Sequence, residues 1–565
     1  MPYRLICHNS SKISTSAIAV LMALVTFSHV QSQEKISSES LFSADRISSI
    51  EIELPQKDWD FIRNQSRSFS ESLGKEIAES PFEYVKGDIT IDGKKIEDVG
   101  IRKKGFLGSL NVERPSLKIR FDKYRDQDPV EGLDRLTLNN NNQDPSRVCQ
   151  YLSYKLFRES GTRSPRCGFA KVSVNGKYLG IYSNVDSVRP IFLEREFGDG
   201  TGDCFEGTIT DFFPDWVKKF EAKNKKASYK DLKKIAAALA PSEPEQDELR
   251  ELVNLDAFMR FWAMESLIGF WDGYCSNQNN FFIYQNPSDS KFYFIPWGTD
   301  SAFTISSPIP PYRIRPKSAH AKAIIPNKLY RIPQFQSQYF ETLNQFLDEH
   351  WDEPLLLAEL DRLESMLEEH VIPSNSKFST SMNGFRRFIK NRRSSLVREL
   401  KDGPPRLSSR EKKPIYFAEV GTAKIEFSTQ WFNETPGKKI PVGKAKLDFS
   451  KDGKQVTLNK LSVYAEQSKA PSQDKVKPPT IVITGKDERS GKTMTIAVSI
   501  ANDQFKPSED NKVSVSGLFL VNGIFMPSKM EMIDGTAILD AASMKQGAKV
   551  EGQLELRIKK MKTSD

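Results

Sequence analysis

Residues 269–303 carry the most informative pattern of this chain and read GFWDGYCSNQNNFFIYQNPSDSKFYFIPWGTDSAF. It contains, in order, an aspartate, three asparagines, two short aromatic segments joined by the turn-forming residues NPSDS, and a second aspartate: Asp272, Asn277, Asn279, Asn280, Phe281–Tyr284, Phe292–Ile295 and Asp300. Two aromatic segments around such a turn predict a β-hairpin. The two ends of a hairpin lie side by side. We therefore expect Asp272, which precedes the hairpin, and Asp300, which follows it, to lie close together.

Protein kinases carry a catalytic aspartate, a metal-binding asparagine and a second, metal-binding aspartate in the same order. Asp272 is therefore the candidate catalytic base, and Asn280 and Asp300 are candidate ligands of Mg²⁺, which prefers oxygen atoms. Asn277 follows Asp272 by the interval seen in kinase catalytic loops and is a rival to Asn280 as metal ligand. The structural alternatives are that Asp272 caps a turn and that the asparagines bond their own loop backbone.

A basic segment with glycine, RKKGFLGS, supplies candidate phosphate ligands. Arg102, Lys104 and Gly105 lie in this turn between two predicted strands, and Lys118 lies on the next strand. Backbone N–H groups and cationic side chains in such a turn can bind phosphates. An exposed basic turn and a solvent-facing strand edge are the structural alternatives.

The composition is that of a soluble globular protein. The 565 residues are 38% hydrophobic and 28% charged, and the net charge is +8. The positive charge is spread along the chain, so we predict no nucleic-acid partner.

Residues 1–32 have the pattern of a secretory signal peptide. Arg4 and Lys12 precede an apolar run over residues 17–27, and small residues follow before Gln33. The run is about half of the ~20 residues that span a bilayer. We therefore expect an exported protein of the periplasm, the cell surface or the medium without a transmembrane span, with a retained anchor as the alternative.

Four cysteines follow the predicted leader: Cys149, Cys167, Cys204 and Cys275. In an exported protein four cysteines permit three disulfide pairings, and the sequence does not choose among them. None has the CxxC spacing typical of a zinc site.

The predicted elements indicate an α+β protein with several parts. Strand patterns dominate about residues 45–185 and helical patterns dominate about residues 186–402, which predicts two lobes within residues 33–402. Residues 403–414 have the composition of a linker. Short alternating strands over residues 415–565 predict an antiparallel β-sandwich-like domain.

Several blocks in this order resemble the CotH family of atypical, spore-coat-type protein kinases. The blocks are IRKKGFLGS (101–109), PSLKIRF (115–121), LTLNNNNQDPSRVCQYLSYKLFRESG (136–161), VNGKYLGIYSNVD (174–186), WDGYCSNQNNFFIY (271–284) and IPWGTDSAF (295–303). The resemblance covers roughly residues 47–400 and implies a two-lobed, kinase-like domain. It also implies ATP and a divalent metal, Mg²⁺ or Mn²⁺, as cofactors, and hydroxyl side chains of extracellular or cell-surface proteins as acceptors.

The resemblance assigns roles to individual residues. Asp272 matches the family's catalytic aspartate, Asn280 matches its metal-site asparagine, and Asp186 is an acidic position that can help the metal or nucleotide site. Asp300 lies in a block that usually reads Trp-Asp-x-Asp, but here Gly298 stands in place of the first acid. Either Asp300 substitutes for the missing acid or the protein is a weakened or dead kinase.

We therefore predict an exported CotH-like protein kinase. The first alternative is a pseudokinase that acts as a surface structural or adhesion module. The second is a polymer-binding protein that uses the C-terminal β domain and exposed aromatic side chains such as Trp431 and Phe432.

Overall fold

A computed structural model describes residues 35–308, 313, 315–372, 377–407, 410–432, 443–467, 477–508, 511–522 and 531–563. The predicted signal peptide lies outside these ranges. Across the ranges described, no helix combines the length and the apolar character needed to cross a membrane.

The first lobe is a closed β-barrel with four short helices around it. Its elements are α1 (Ser38–Phe42), β1 (Ile47–Glu53), α2 (Gln56–Asn64), α3 (Phe69–Ser72), β2 (Val85–Ile91), β3 (Lys94–Lys104), β4 (Ser116–Arg120), β5 (Arg135–Asn139), α4 (Cys149–Glu159), β6 (Cys167–Val174) and β7 (Lys177–Val185). The strand order is β1-β2-β3-β4-β5-β7-β6, and parallel pairing of β1 with β6 closes the barrel. Side chains alternate between the two faces of a strand, and this explains how β1 fills the barrel interior. Ile50 and Ile52 of β1 are fully buried, and their neighbours face outward.

Two hairpins of the barrel turn where the sequence predicts. Asp92 and Gly93 have φ values of 48° and 85°, and Asn175 and Gly176 have φ values of 49° and 76°. Two-residue type I′ turns require positive φ at both central residues, and Asp-Gly and Asn-Gly supply it at low cost.

The second lobe is mostly helical. Its elements are α5 (Pro190–Phe197), β8 (Cys204–Gly207), β9 (Glu221–Ala222), α6 (Lys230–Leu239), α7 (Gln246–Leu252), α8 (Leu255–Leu267), α9 (Tyr274–Asn277), β10 (Phe281–Asn286), β11 (Lys291–Pro296), α10 (Ile324–Tyr330), α11 (Pro333–Glu349), α12 (Glu353–Leu367) and α13 (Phe378–Leu400). A four-stranded sheet of order β11-β10-β8-β9 carries the predicted hairpin. Helix α8 is the centre of the core, with Phe258, Phe261 and Trp262 buried. Asn254 caps it by accepting the Ala257 N–H at 3.0 Å.

Helix α4 begins later than the sequence pattern indicates. The pattern predicts a start at Pro145, but the helix starts at Cys149. Arg147 has a left-handed φ of 67°, which a helix cannot contain. Asp144 holds this turn by accepting the N–H groups of Ser146 at 2.9 Å and Cys149 at 2.9 Å.

The C-terminal part is one curved, largely antiparallel sheet. Its strands are β12 (Ile415–Phe432), β13 (Lys444–Lys451), β14 (Lys454–Gln455), β15 (Leu458–Gln467), β16 (Pro479–Asp487), β17 (Thr493–Ile500), β18 (Val513–Val521), β19 (Glu531–Ala541) and β20 (Lys549–Thr563). The strand order is β14-β13-β12-β15-β16-β17-β18-β19-β20, and β12 also pairs with β20. That pairing closes the sheet around its own apolar core.

The C-terminal β part is docked against the preceding lobes. The ring of Phe417 in β12 contacts that of Phe69 in α3, with centroids 5.7 Å apart. The ring of Tyr416 contacts that of Trp216 in the helical lobe, with centroids 5.8 Å apart. The predicted α+β architecture, two lobes followed by an antiparallel β part, is confirmed, whereas the domain boundaries stay a prediction.

Candidate active site

The loop between α8 and β10 places Asp272. Helix α8 ends at Leu267, and the chain folds back so that the Glu265 carboxylate accepts the N–H groups of Tyr274 at 3.0 Å and Cys275 at 2.8 Å. Gln278 and Asn280 then adopt left-handed φ values of 60° and 53°. Asparagine tolerates this conformation better than most residues, so the asparagine-rich sequence suits the turn.

Three asparagine amides surround the carboxylate of Asp272. Asn277 Nδ2 donates to Oδ1 at 2.7 Å, Asn279 Nδ2 donates to Oδ1 at 3.2 Å, and Asn280 Nδ2 donates to Oδ2 at 2.9 Å. Burial raises the pKa of Asp272, and these three amides oppose that rise. The carboxylate is thus fixed in direction by neutral donors, with no lysine or arginine bonded to it among the described residues.

Asp300 lies just after the hairpin and is also buried. Burial raises its pKa to about 7, the negative charges of Asp272 and Asp144 add to the rise, and Lys104 opposes it. The part of the chain that the structure describes contains no salt bridge to Asp300. Two nearby carboxylates with no bonded cation form an arrangement that a bound cation would stabilise.

Gly298, in place of the family's first acid, has a structural consequence. Its φ is 54°, and a Cβ atom built there would lie 2.9 Å from Oδ1 of Asn280. An aspartate at this position would therefore push against the asparagine that bonds Asp272.

The basic residues predicted for phosphate binding face the same space. Arg102 and Lys118 are directly paired on β3 and β4, and Lys104 lies two residues further along β3. Burial and the positive charges of Arg102 and Lys104 lower the pKa of Lys118 to about 7. Crowded, desolvated cations of this kind favour an anionic ligand.

The intervening Lys103 points to the other side of the strand. Its ammonium donates to the carbonyls of Arg63 at 2.6 Å and Gln65 at 2.7 Å. Its role is therefore structural.

One cavity of about 1480 Å³ lies between the barrel, the helical lobe and the C-terminal β part. It brings together the residues that the sequence predicts as catalytic base, metal ligands and phosphate ligands: Arg102, Lys104, Gly105, Lys118, Asp272, Asn280 and Asp300. The carboxylates and the cations thus face one another across a single space.

A second cavity of about 860 Å³ adjoins the first, and both are lined by Trp271 and Asp300. Arg387, Asn391 and Arg398 of α13 line its other side. Asp300 therefore borders two cavities. Basic residues of the barrel line the first, and basic residues of α13 line the second.

Several residues at the site carry no recognisable signal in the sequence. Glu206 of β8 lines the cavity and forms a salt bridge with Lys223, and Arg67 lines it from the loop after α2. Lys412 reaches it from the segment predicted to be a linker. Only tertiary packing brings these residues to the cavity, so local patterns could not identify them.

Three expectations of the sequence are corrected by the structure. Asp186 does not line the cavity, because it is buried in ion pairs with Arg166 at 3.0 Å and Arg195 at 2.7 Å. Trp431 and Phe432 are buried rather than exposed, since they pack inside the β part. The four described cysteines, which permit three disulfide pairings, are buried free thiols.

The barrel, the helical lobe and the shared cavity define a kinase-like protein. The family model described as CotH kinase protein matches residues 101–396, more than half of the chain. The chain belongs to this family, and the predicted two-lobed, kinase-like class is confirmed.

Individual relatives match part of the chain. Inner spore coat protein H of Bacillus subtilis (strain 168) is 26% identical over 187 residues, which cover 30% of this chain and 51% of that protein. Invasin CotH3 of Rhizopus delemar is 23% identical over 189 residues, which cover 30% of this chain and 31% of that protein. The chain thus spans about half or less of these relatives.

A solved structure, the Helicobacter pylori proinflammatory kinase CtkA, is 9% identical with a TM-score of 0.22. The match covers 51% of this chain and 94% of that one. A likeness at this level carries no argument about the site.

Proposed function

We propose that the protein is a kinase that transfers the γ-phosphoryl group of ATP to hydroxyl side chains of proteins. The observation that carries the proposal is the single cavity in which Asp272, Asn280 and Asp300 face Arg102, Lys104 and Lys118. Phosphoryl transfer requires positioned reactants and neutralised charge more than covalent chemistry by the protein.

The donor set fits a divalent cation. Asp300 offers a buried carboxylate. The amide nitrogen of Asn280 donates to Asp272, and its amide oxygen accepts no hydrogen bond from the residues that the structure describes, so this oxygen can bind a ligand. The described residues contain no cluster of three or more His, Cys, Asp or Glu at metal-binding spacing. Mg²⁺ needs few protein ligands, since substrate phosphates and water complete its shell. Asn280 and Asp300 would hold Mg²⁺ or Mn²⁺, which would neutralise charge on the phosphates.

The remaining roles follow from position in the cavity. Arg102, Lys104 and the backbone at Gly105, with Lys118, would bind the phosphates of ATP. Asp272 would accept the proton of the acceptor hydroxyl. The hydroxyl oxygen would then bond to the γ-phosphorus of ATP, while the bond from this phosphorus to the oxygen that bridges it to the β-phosphorus breaks. ADP leaves with that oxygen.

The second cavity supports an approach route for the acceptor. It adjoins Asp300 and its lining does not include Arg102, Lys104 or Lys118, so a protein segment in it would not compete with ATP phosphates for these residues. Relatives named as a spore coat protein and as invasins support a surface protein as acceptor and an exported location for this chain.

The test is transfer of labelled phosphate from ATP by the purified protein, with Mg²⁺ or Mn²⁺, to itself and to surface proteins. Asp272→Asn is expected to reduce transfer by roughly 10²–10⁴-fold, the usual contribution of a general base. Asp300→Asn is expected to abolish the metal dependence together with most of the activity.

Asp289→Asn, in the exposed turn of the same hairpin, is the matched control and is expected to transfer at the wild-type rate. Equal transfer by the wild type and Asp272→Asn would remove Asp272 from the mechanism.

Gly298 supports a second candidate, a pseudokinase, because the family's first acid is missing there. The same assay decides between the two. Metal-dependent ATP binding without any transfer would establish the pseudokinase.

A further inference from the structure

Lys412 enters the active site from outside the part of the chain that matches the family. The family match ends at residue 396, and Lys412 lies in the segment between α13 and β12. Its backbone is held on both sides: its N–H donates to the carbonyl of Lys322 at 2.6 Å, and its carbonyl accepts Gln278 Nε2 at 2.6 Å. The segment is therefore built into the catalytic loop rather than hanging free between domains.

The ammonium of Lys412 is bonded to one of the three asparagines around Asp272. Its Nζ donates to Oδ1 of Asn277 at 2.6 Å, and Nδ2 of Asn277 donates to Oδ1 of Asp272 at 2.7 Å. Ammonium, amide and carboxylate thus form a continuous chain of hydrogen bonds. Besides this bond, the ammonium reaches the carbonyl of Asn277 at 3.4 Å.

The two ends of an asparagine amide are almost the same size, but one accepts and the other donates hydrogen bonds. An ammonium can only donate, so Lys412 requires the oxygen of Asn277 to face it. The amide nitrogen must then face Asp272. Without Lys412, only the Asp272 carboxylate orients the amide, so the Asn277 side chain is held by one partner instead of two and can leave its bonded position.

Resting on the proposed kinase function, we propose that Lys412 is a positioning residue of the active site. It orients Asn277, and through Asn277 it holds the Asp272 carboxylate in its catalytic direction. The C-terminal segment thereby completes a catalytic loop that the family-matched residues leave incomplete.

The neighbouring Lys413 offers a matched control. Its ammonium lies over the ring of Phe213, 4.8 Å from the centroid, so it packs on an aromatic side chain of the helical lobe. Substitution of Lys413 removes the same charge from the same segment without removing the bond to Asn277.

The experiment compares Lys412→Met, Lys412→Arg, Lys413→Met and Asn277→Ala in the full chain, with kcat and KM for ATP measured in the transfer assay. Lys412→Met is expected to lower kcat by roughly 10–100-fold, the usual effect of losing a residue that orients a catalytic group. KM for ATP is expected to change little, because the ATP phosphates are bound by other residues. Lys412→Arg is expected to restore part of kcat, since a guanidinium can also donate to the Asn277 oxygen.

A double variant tests the route of the effect. If Lys412 acts through Asn277, Lys412→Met in the Asn277→Ala background is expected to cause little further loss, whereas independent effects would multiply. Multiplying effects, or a wild-type kcat in folded Lys412→Met, would overturn the proposal.

A neutron crystal structure of Lys412→Met, in which the amide nitrogen and oxygen of Asn277 are distinguished, separates this inference from the kinase proposal. A rotated Asn277 amide supports the positioning role even if the wild type transfers no phosphate, a result that would count against the kinase proposal alone. An unchanged Asn277–Asp272 bond overturns the positioning role whatever the activity.

Discussion

At the scale of single residues, the site depends on which atom of each amide faces which neighbour. Asn280 directs its nitrogen to Asp272 and leaves its oxygen beside Gly298. The absence of a side chain at Gly298 therefore affects the position of Asn280 as well as the number of acids at the site. It leaves the space that the oxygen of Asn280 occupies.

This arrangement predicts the outcome of restoring the family's acid. Gly298→Asp is expected to lower transfer rather than raise it, because the new Cβ displaces Asn280 and because a left-handed non-glycine residue costs about 1–2 kcal/mol. Gly298→Ala adds the same Cβ without the charge and is expected to cause a similar loss. The transfer rates of the wild type, Gly298→Asp and Gly298→Ala measure the effect. A Gly298→Asp variant faster than the other two proteins would contradict this expectation and would show that the added carboxylate binds a metal ion.

At the scale of elements, a buried carboxylate supports the loop that carries Asp272. Asp211 accepts hydrogen bonds from Tyr274 Oη at 2.9 Å, Gln278 Nε2 at 2.8 Å and the backbone N–H of Ile324 at 2.7 Å. It thus joins α9, the turn after it and the start of α10. Burial raises the pKa of Asp211 to about 6, so the group is ionised at neutral pH.

Substitution of this carboxylate should weaken the fold and the site together. Asp211→Asn replaces an acceptor oxygen by a donor nitrogen that faces other donors, and a buried unsatisfied donor costs about 1–3 kcal/mol. We expect the free energy of unfolding in urea to fall by about that amount and kcat to fall as well. Asp203→Asn is the control, since the partly exposed Asp203 accepts the Ser228 N–H outside the site. Equal stability of the two variants would contradict this role of Asp211.

The elements also show how much the sequence could predict. The hairpin after Asp272, the Asp-Gly and Asn-Gly turns and the alternating strands depend on neighbours in sequence, and they are confirmed. Lys412, Glu206 and Arg67 depend on contacts between distant segments, and no local pattern marks them. The predicted role of Asp186 at the site is wrong, because only the folded chain brings Asp186 to its partners Arg166 and Arg195.

At the scale of the whole molecule, stability depends on keeping His320 uncharged. Burial lowers the pKa of His320 to about 3, and the positive charges of Arg392 and Lys322 add to this effect. In the unfolded chain histidine has a pKa of ~6.5. Between these two values the unfolded state binds a proton that the folded state does not, so stability falls as the pH falls below the unfolded value.

The resulting prediction concerns the pH dependence of unfolding. Between pH 6.5 and 5, His320 is expected to contribute a loss approaching ~1.4 kcal/mol per pH unit to the free energy of unfolding. His320→Gln removes the titrating group and is expected to reduce the slope by that amount. Urea unfolding at several pH values measures the slopes, and identical slopes for wild type and His320→Gln would refute the prediction.

The pairing of β12 with β20 has a consequence for the time at which the cavity can form during synthesis. These strands are separated by all the other strands of the C-terminal sheet, so their pairing waits until β20 has left the ribosome. Both strands also reach the active-site cavity, through Ile415 and Met561. A ribosome-bound chain with both lobes complete but without β20 would still lack one wall of the cavity, so the cavity is expected to close only after β20 has emerged.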